Sequence, residues 1–210
     1  MKSKPTLVLF VRHGQTPTTG QSLPGRAPGL HLADTGIAQA RDAAERIKAV
    51  KKVAAIYASP LERTRETAAP IAKTLGLRVR SNSGLLECDF GSWTGKALDK
   101  LRKLPEWEQV QKSPSTFRFP GGESFTEMQN RIVGAVDSIC RNHPGETVVC
   151  VSHADPIKAA LAHAAGTHLD LFQRLVVSPC SVSAVAYTQS GPIVLTVNSI
   201  GSSLSDLKPS

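Results

Sequence analysis

The spacing of apolar and polar positions changes period repeatedly along the chain. Thr6 to Val11 is almost continuously apolar and rich in branched side chains, which predicts a strand buried on both faces. Gln15 to His31 has no period and many Gly, Pro and Thr residues, so it reads as a long loop. A helical stripe begins near Asp34 with Ile37, Ala40, Ala44 and Ile47 facing inward, and Asp34 or Thr35 can cap its start. VAAIYASP (53–60) is a second strand running into a turn. Ser59 as N-cap, Pro60 in the first helical position and Glu62 closing a capping box predict the next helix. Its stripe is Leu61, Thr64, Ala68, Ile71 and Leu75, and Gly76 ends it. LRVRSN (77–82) is a short third strand, and LLECDFGSW (85–93) has no clear period. Residues 96–112 look helical with a break at Pro105. PGGES (120–124) opens a long helix whose buried face is Phe125, Met128, Ile132, Val136 and Ile139. TVVCVSHADP (147–156) is a fourth buried strand, followed by a helix with Ile157, Leu161 and Ala164 inward. Two last strands, 181–187 and 192–198, flank the turn QSG.

Strands alternating with helices imply an α/β fold, a three-layer α/β/α sandwich with a mostly parallel central sheet. In such sheets the ligand sits beyond the carboxyl ends of the strands. Three stretches end strands there: Arg12-His13-Gly14, Ser59 to Arg63, and Ser152-His153. With 210 residues and neither repeats nor a linker, a single domain over 1–210 is expected. The run Leu7 to Val11 is too short for a membrane span or a signal peptide and meets Arg12 at once, so a cytoplasmic protein with no membrane partner is expected. Cys88, Cys140, Cys150 and Cys180 form no CxxC pair and have no His at zinc spacing, which reads as free, buried thiols.

Charge narrows the chemistry. The net charge of +8 suits an anionic partner. With only 5% aromatic residues and no dense basic run, the footprint of a dedicated nucleic-acid binder is weak. Two imidazoles at one sheet edge beside Arg12 and Arg63 form a concentrated positive pocket. A phosphate dianion would neutralise it and accept paired bonds from the guanidinium forks. No Walker loop, dinucleotide fingerprint or metal cage is present. The imidazole is then the natural nucleophile, attacking phosphorus to form a phosphohistidine.

On these residues the chain resembles the histidine phosphatase superfamily, phosphoglycerate mutase-like branch. The matching pieces are RHGQT (12–16), LADTGIAQA (32–40), SPLERTRETA (59–68), ECDFGSWTG (87–95), PGGES (120–124) and VSHADPIKA (151–159), in the family's order and spacing. The resemblance implies a phosphoglycerate mutase-like fold and a phosphohistidine mechanism. His13 would accept the phosphoryl group. Arg12, Arg63 and His153 would hold its oxygens. Glu87 would be the general acid and then the base. Gly14 would let the backbone orient the imidazole through its other nitrogen. Gln15 and Thr16 would line the pocket, Ala154 would lie beside His153 at the phosphate, and Arg26 is a candidate for a substrate carboxylate or second phosphate. No metal and no organic cofactor is implied, and the partner is a small phosphorylated metabolite. A homodimer is compatible with the sequence.

Some alternatives stay open. Arg65 stands in the first turns of the same helix as Arg63, Asp89 shares a face with Glu87, Thr16 could serve only to cap its loop, and Ser124 could cap a helix or touch substrate. Trp93 reads as packing, and His31, His143, His163 and His168 as surface or helix-end residues. The chain also departs from common family patterns. Gln15 replaces a carboxylate, making the site more positive. Ala33 replaces a capping Thr, Thr94 replaces Glu, and Ala154 replaces Gly. ECDFG in place of the E-R-H-Y-G of cofactor-dependent mutases, without their insertion, favours a phosphatase. A phosphomutase is the alternative, and a non-catalytic anion- or nucleic-acid-binding protein is the reading from another class. A gel shift with steep salt dependence would favour the latter.

Overall fold

The computed structural model describes residues 4–50 and 52–201. The ends of the expected 1–210 domain lie outside the described residues. Six strands form one sheet: β1 (Thr6–Arg12), β2 (Val53–Ala58), β3 (Val79–Ser81), β4 (Thr147–Ser152), β5 (Val182–Thr188) and β6 (Gly191–Ser199). Their spatial order is β3-β2-β4-β1-β5-β6. The first four are mutually parallel, and β5 and β6 run antiparallel. The helices are α1 (Asp34–Lys48), α2 (Glu62–Leu75), α3 (Leu98–Leu101), α4 (Glu106–Lys112), α5 (Phe125–Asn142) and α6 (Ala154–Ala164).

The period of two along each central strand sorts side chains between two cores. Leu9, Val11, Ile56, Ala58, Val149 and Val151 face α1 and α2, where Ala44, Ile47, Ala68 and Ile71 meet them. Val8, Phe10, Tyr57, Val148 and Cys150 face the other way, onto the predicted α5 stripe and Ile157 and Leu161 of α6. Trp93 packs in that second core against Trp107, Phe117 and Phe119.

Ser124 caps α5 through a full capping box with Glu127. Two other helix starts differ from expectation. α1 begins with Ala33 as N-cap and without a side-chain cap, so neither Asp34 nor Thr35 performs that role. α2 begins at Glu62 after Leu61, not at Ser59 and Pro60, and Glu62 closes no capping box; its carboxylate instead accepts the Gly29 amide. Ile37 lies on the predicted stripe but is 41% exposed. Cys88, Cys150 and Cys180 are buried and Cys140 is half-buried, all as free thiols. His143 ends α5 and is buried, bonded to Tyr57 and Glu146. No helix among the described residues is long and apolar enough to cross a membrane.

Candidate active site

Strand register builds the site. β1 and β4 are parallel neighbours with Arg12 opposite Ser152. The next residue on each strand is a histidine, so His13 and His153 leave the sheet side by side. Their ring centroids are 5.2 Å apart, edge to face. The His13 amide continues the ladder to the Ser152 carbonyl at 2.9 Å. β2 supplies the third strand end: the Ser59 amide reaches the Val151 carbonyl, and its hydroxyl bonds His153 Nε2 at 2.9 Å. Ser59 lies before the N-cap of α2, which is Leu61. The Ser59 hydroxyl positions an imidazole.

His13 Nδ1 donates to the Gly14 carbonyl at 2.8 Å. This fixes the tautomer and leaves Nε2 with the lone pair. Burial, with Arg63 and Arg12 close by, pushes the His13 pKa down to about 3, so the ring is neutral at pH 7. The same causes, with His13 itself, hold His153 well below the usual range. Gly14 is required by packing. A Cβ there would lie 2.6 Å from the Gly36 carbonyl, and one on Gly36 would lie 2.1 Å from that of Gln15. The loop after His13 therefore rests backbone-to-backbone on α1. The Gly14 amide also donates to Thr67 Oγ1 of α2.

Arg63 is fully buried in the first turn of α2 and donates through Nη2 to the Gly25 carbonyl at 2.7 Å. Arg65 points elsewhere. It is exposed and lines a cleft of about 690 Å³ with Glu62, Glu66 and His31, and none of the five expected catalytic residues lines that cleft. Arg12 donates to the Val177 carbonyl at 2.7 Å. The buried polar atoms that lack a hydrogen-bond partner among the described residues include Arg63 Nε and Nη1, Arg12 Nε and His153 Nδ1. Such groups are costly to bury unless something pairs with them. These four sit on the three side chains grouped around His13, and they make a cradle for an anion.

Glu87 completes the cluster. It is buried, with Oε1 accepting its neighbour's amide, Cys88, at 2.9 Å. Burial and the nearby Asp155 carboxylate push its pKa up to about 7, against the opposing pull of the Cys88 amide, Arg63 and Arg12. Asp89 is in a different setting. It is 41% exposed and accepts the Gly91 amide. The structure thus groups His13, His153, Arg12, Arg63 and Glu87, and separates them from the rivals Arg65 and Asp89.

The other expected site residues fall further out. Thr16 keeps its hydroxyl within its own loop, bonded to Thr19. Gln15 is exposed, and its amide is held by Gln39. Ala154 is the first residue of α6. Arg26 is engaged by the protein itself, donating to the Glu87 carbonyl at 2.9 Å and pairing with Glu123 at 2.8 Å. Ser59 and Asp155 went unrecognised in the sequence. A Ser-Pro before a helix looks the same whichever partner its hydroxyl takes, and Asp155 carries no signal beyond its place two residues after His153.

The model of one family, described as the histidine phosphatase superfamily (branch 1), matches residues 8–200. The chain belongs to that superfamily. Among its histidine phosphatase relatives is phosphoserine phosphatase 1 of Hydrogenobacter thermophilus, 30% identical over 91% of each chain. The bifunctional protein Rv2228c of Mycobacterium tuberculosis is 34% identical over 95% of this chain. This chain spans only 56% of that relative's length. A Yersinia pestis protein named "Probable phosphoglycerate mutase GpmB" is 32% identical over 87% of this chain and 86% of its own. Among solved structures, Bacillus stearothermophilus YhfR superposes with a TM-score of 0.86 at 27% identity, over 93% of this chain and 98% of that one.

Proposed function

We propose that this histidine phosphatase fold hydrolyses phosphate monoesters of small metabolites through a phosphohistidine on His13. The observation that carries the reading is the His13 ring itself. It is neutral, its Nδ1 proton is given to Gly14, and it stands among buried guanidinium and imidazole nitrogens without hydrogen-bond partners among the described residues.

In the first half-reaction Nε2 of His13 attacks phosphorus and the ester P–O bond breaks. Glu87 gives its proton to the leaving oxygen, while Arg12, Arg63 and His153 hold the three remaining oxygens as charge develops on them. In the second, water attacks the phosphorus as the Glu87 carboxylate takes its proton. The P–N bond breaks and the lone pair returns to Nε2. A carboxyl group poised near neutrality suits both roles. A cleft of about 290 Å³ lies between α3, α4 and α6; none of the five expected catalytic residues lines it, and Asp155 is its link to Glu87. Its lining also includes Arg102, Trp107, Phe90 and Lys158. A phosphomutase would share the first half-reaction and pass the phosphoryl group to a second hydroxyl.

The test is a screen of phosphorylated metabolites for phosphate release, with 2- and 3-phosphoglycerate included to detect mutase turnover, followed by mass spectrometry of quenched enzyme. The expected result is net phosphate release and an acid-labile, base-stable adduct on His13. An adduct on serine, cysteine or His153, with His13→Ala still turning over, would overturn the reading.

A further inference from the structure

The segment carrying Glu87 is held by three charged side chains that do not belong to the cluster around His13. Arg131 of α5 donates Nη1 to the carbonyls of Gly84 and Leu86, both at 2.9 Å, and Nη2 to that of Glu87 at 3.2 Å. Arg26 adds a second donor to the Glu87 carbonyl at 2.9 Å. Glu123 joins the two arginines. It meets Arg131 at 2.8 and 3.0 Å and Arg26 at 2.8 Å, and accepts the Asp89 amide at 3.1 Å. Glycines make this approach feasible: a Cβ on Gly122 would lie 2.2 Å from the Asp89 carbonyl, and one on Gly91 would lie 2.2 Å from that of Pro120.

Arg26 also has a particular neighbour. Gly25, the preceding residue, takes the Nη2 proton of Arg63 on its carbonyl. One dipeptide of the long loop therefore touches both the phosphate-cradling arginine and the backbone of the acid. We infer that Arg26, bridged through Glu123 to Arg131, is a positioning residue that sets where the Glu87 carboxyl stands relative to the phosphoryl group. The Arg26 Nε is given to the Glu87 carbonyl, and its Nη2 lies 2.8 Å from the Glu123 carboxylate without completing a hydrogen bond among the described residues. A fork with several fixed donors can hold a carbonyl and a carboxylate together, which a lysine ammonium does less well.

The inference rests on Glu87 being the proton donor, and the experiment separates the two. The pre-steady-state burst is measured with an alkyl phosphate, whose alkoxide needs a proton, and with p-nitrophenyl phosphate, whose phenolate does not. Glu87→Gln, Arg26→Met, Arg26→Lys and Glu123→Gln are compared, with melting temperatures establishing that each folds. Arg26→Met is expected to slow the alkyl burst by about ten- to a hundredfold and to leave the aryl burst within about twofold, a part of what general acid catalysis supplies. Arg26→Lys should fall between, and Glu123→Gln should show the same leaving-group pattern. In a Glu87→Gln background, Arg26→Met should add nothing. Equal slowing of both bursts, an equal rise in KM for both substrates, or an additive loss on top of Glu87→Gln would overturn the positioning role. If Glu87→Gln lacks the leaving-group dependence, the acid assignment falls and the inference falls with it. If Glu87→Gln has it and Arg26→Met does not, only the inference fails.

Discussion

Two arginines one helical turn apart at most, Arg63 and Arg65, differ in everything but side-chain chemistry. One is fully buried with two nitrogens lacking hydrogen-bond partners and the other is exposed. Arg63→Ala should therefore lower kcat/KM on the order of a hundredfold or more, the loss of about 2–4 kcal/mol of charge-assisted transition-state contact, and Arg65→Ala should change it little. Steady-state kinetics on folded variants decide this. Glu87 gives a second prediction with a definite sign. Its folded-state pKa is raised, so folding favours the protonated form. That contribution is complete below the unfolded value and is lost as pH rises through about 7. Glu87→Gln should thus gain melting temperature over the parent chain, and the gap should widen from pH 5 to pH 8. His13, shifted the other way, destabilises at low pH in both proteins and drops out of the comparison. A gap that is constant or narrows would contradict the buried, proton-holding carboxyl. At this scale the sequence was informative about chemical type and less so about partners. His13, His153 and Arg63 stand out because ionisable groups interrupt apolar strand ends and helix starts. The tasks of Ser59 and Arg26 were hidden, because a hydroxyl or guanidinium does not record which distant backbone the fold brings to it.

Elements were legible where burial alone decides them. The parallel strands β1, β2 and β4 are almost purely apolar and the α5 stripe is long, so their pattern has one solution, whereas β3 is three half-buried or exposed residues. Helix starts were harder, since a residue with capping chemistry caps only if nothing else claims its side chain. The packing of α1 against the loop after His13 also escapes pattern reading, because glycine at a contact and glycine in a turn look alike. The contact is testable. With a Cβ on Gly36 falling only 2.1 Å from a backbone carbonyl, Gly36→Ala must push the Gln15 peptide and so His13's loop. It should lower melting temperature by several degrees, as overpacking of about 1–3 kcal/mol does. It should also reduce kcat more than the surface change Gly134→Ala, whose added Cβ meets nothing within 4 Å.

For the whole molecule, the net charge of +8 and the buried guanidinium groups at the carboxyl ends of the central strands predict that an anion stabilises the fold. Phosphate or vanadate should raise the melting temperature. A ligand at a hundred times its Kd stabilises by about 2.7 kcal/mol, a shift of a few degrees for a chain of this size. Arg63→Ala should lose most of the shift. A shift that persists in that variant, or one that sulfate and chloride reproduce equally, would mean that the anions act on the surface at large.

The place of β4 in the sheet bears on how such a protein comes into being. It lies between β1 and β2 but is synthesised after both. Until residues 147–153 leave the ribosome, the two earlier strands have no common neighbour, and His13 has neither the Ser152 carbonyl to fix its amide nor His153 beside it. Pairing across so long a stretch of chain is slow, because loop closure precedes any reward in contacts. A nascent chain can thus hold His13 and Arg12 and still own no pocket. Products truncated before residue 147 should be inert toward phosphate esters.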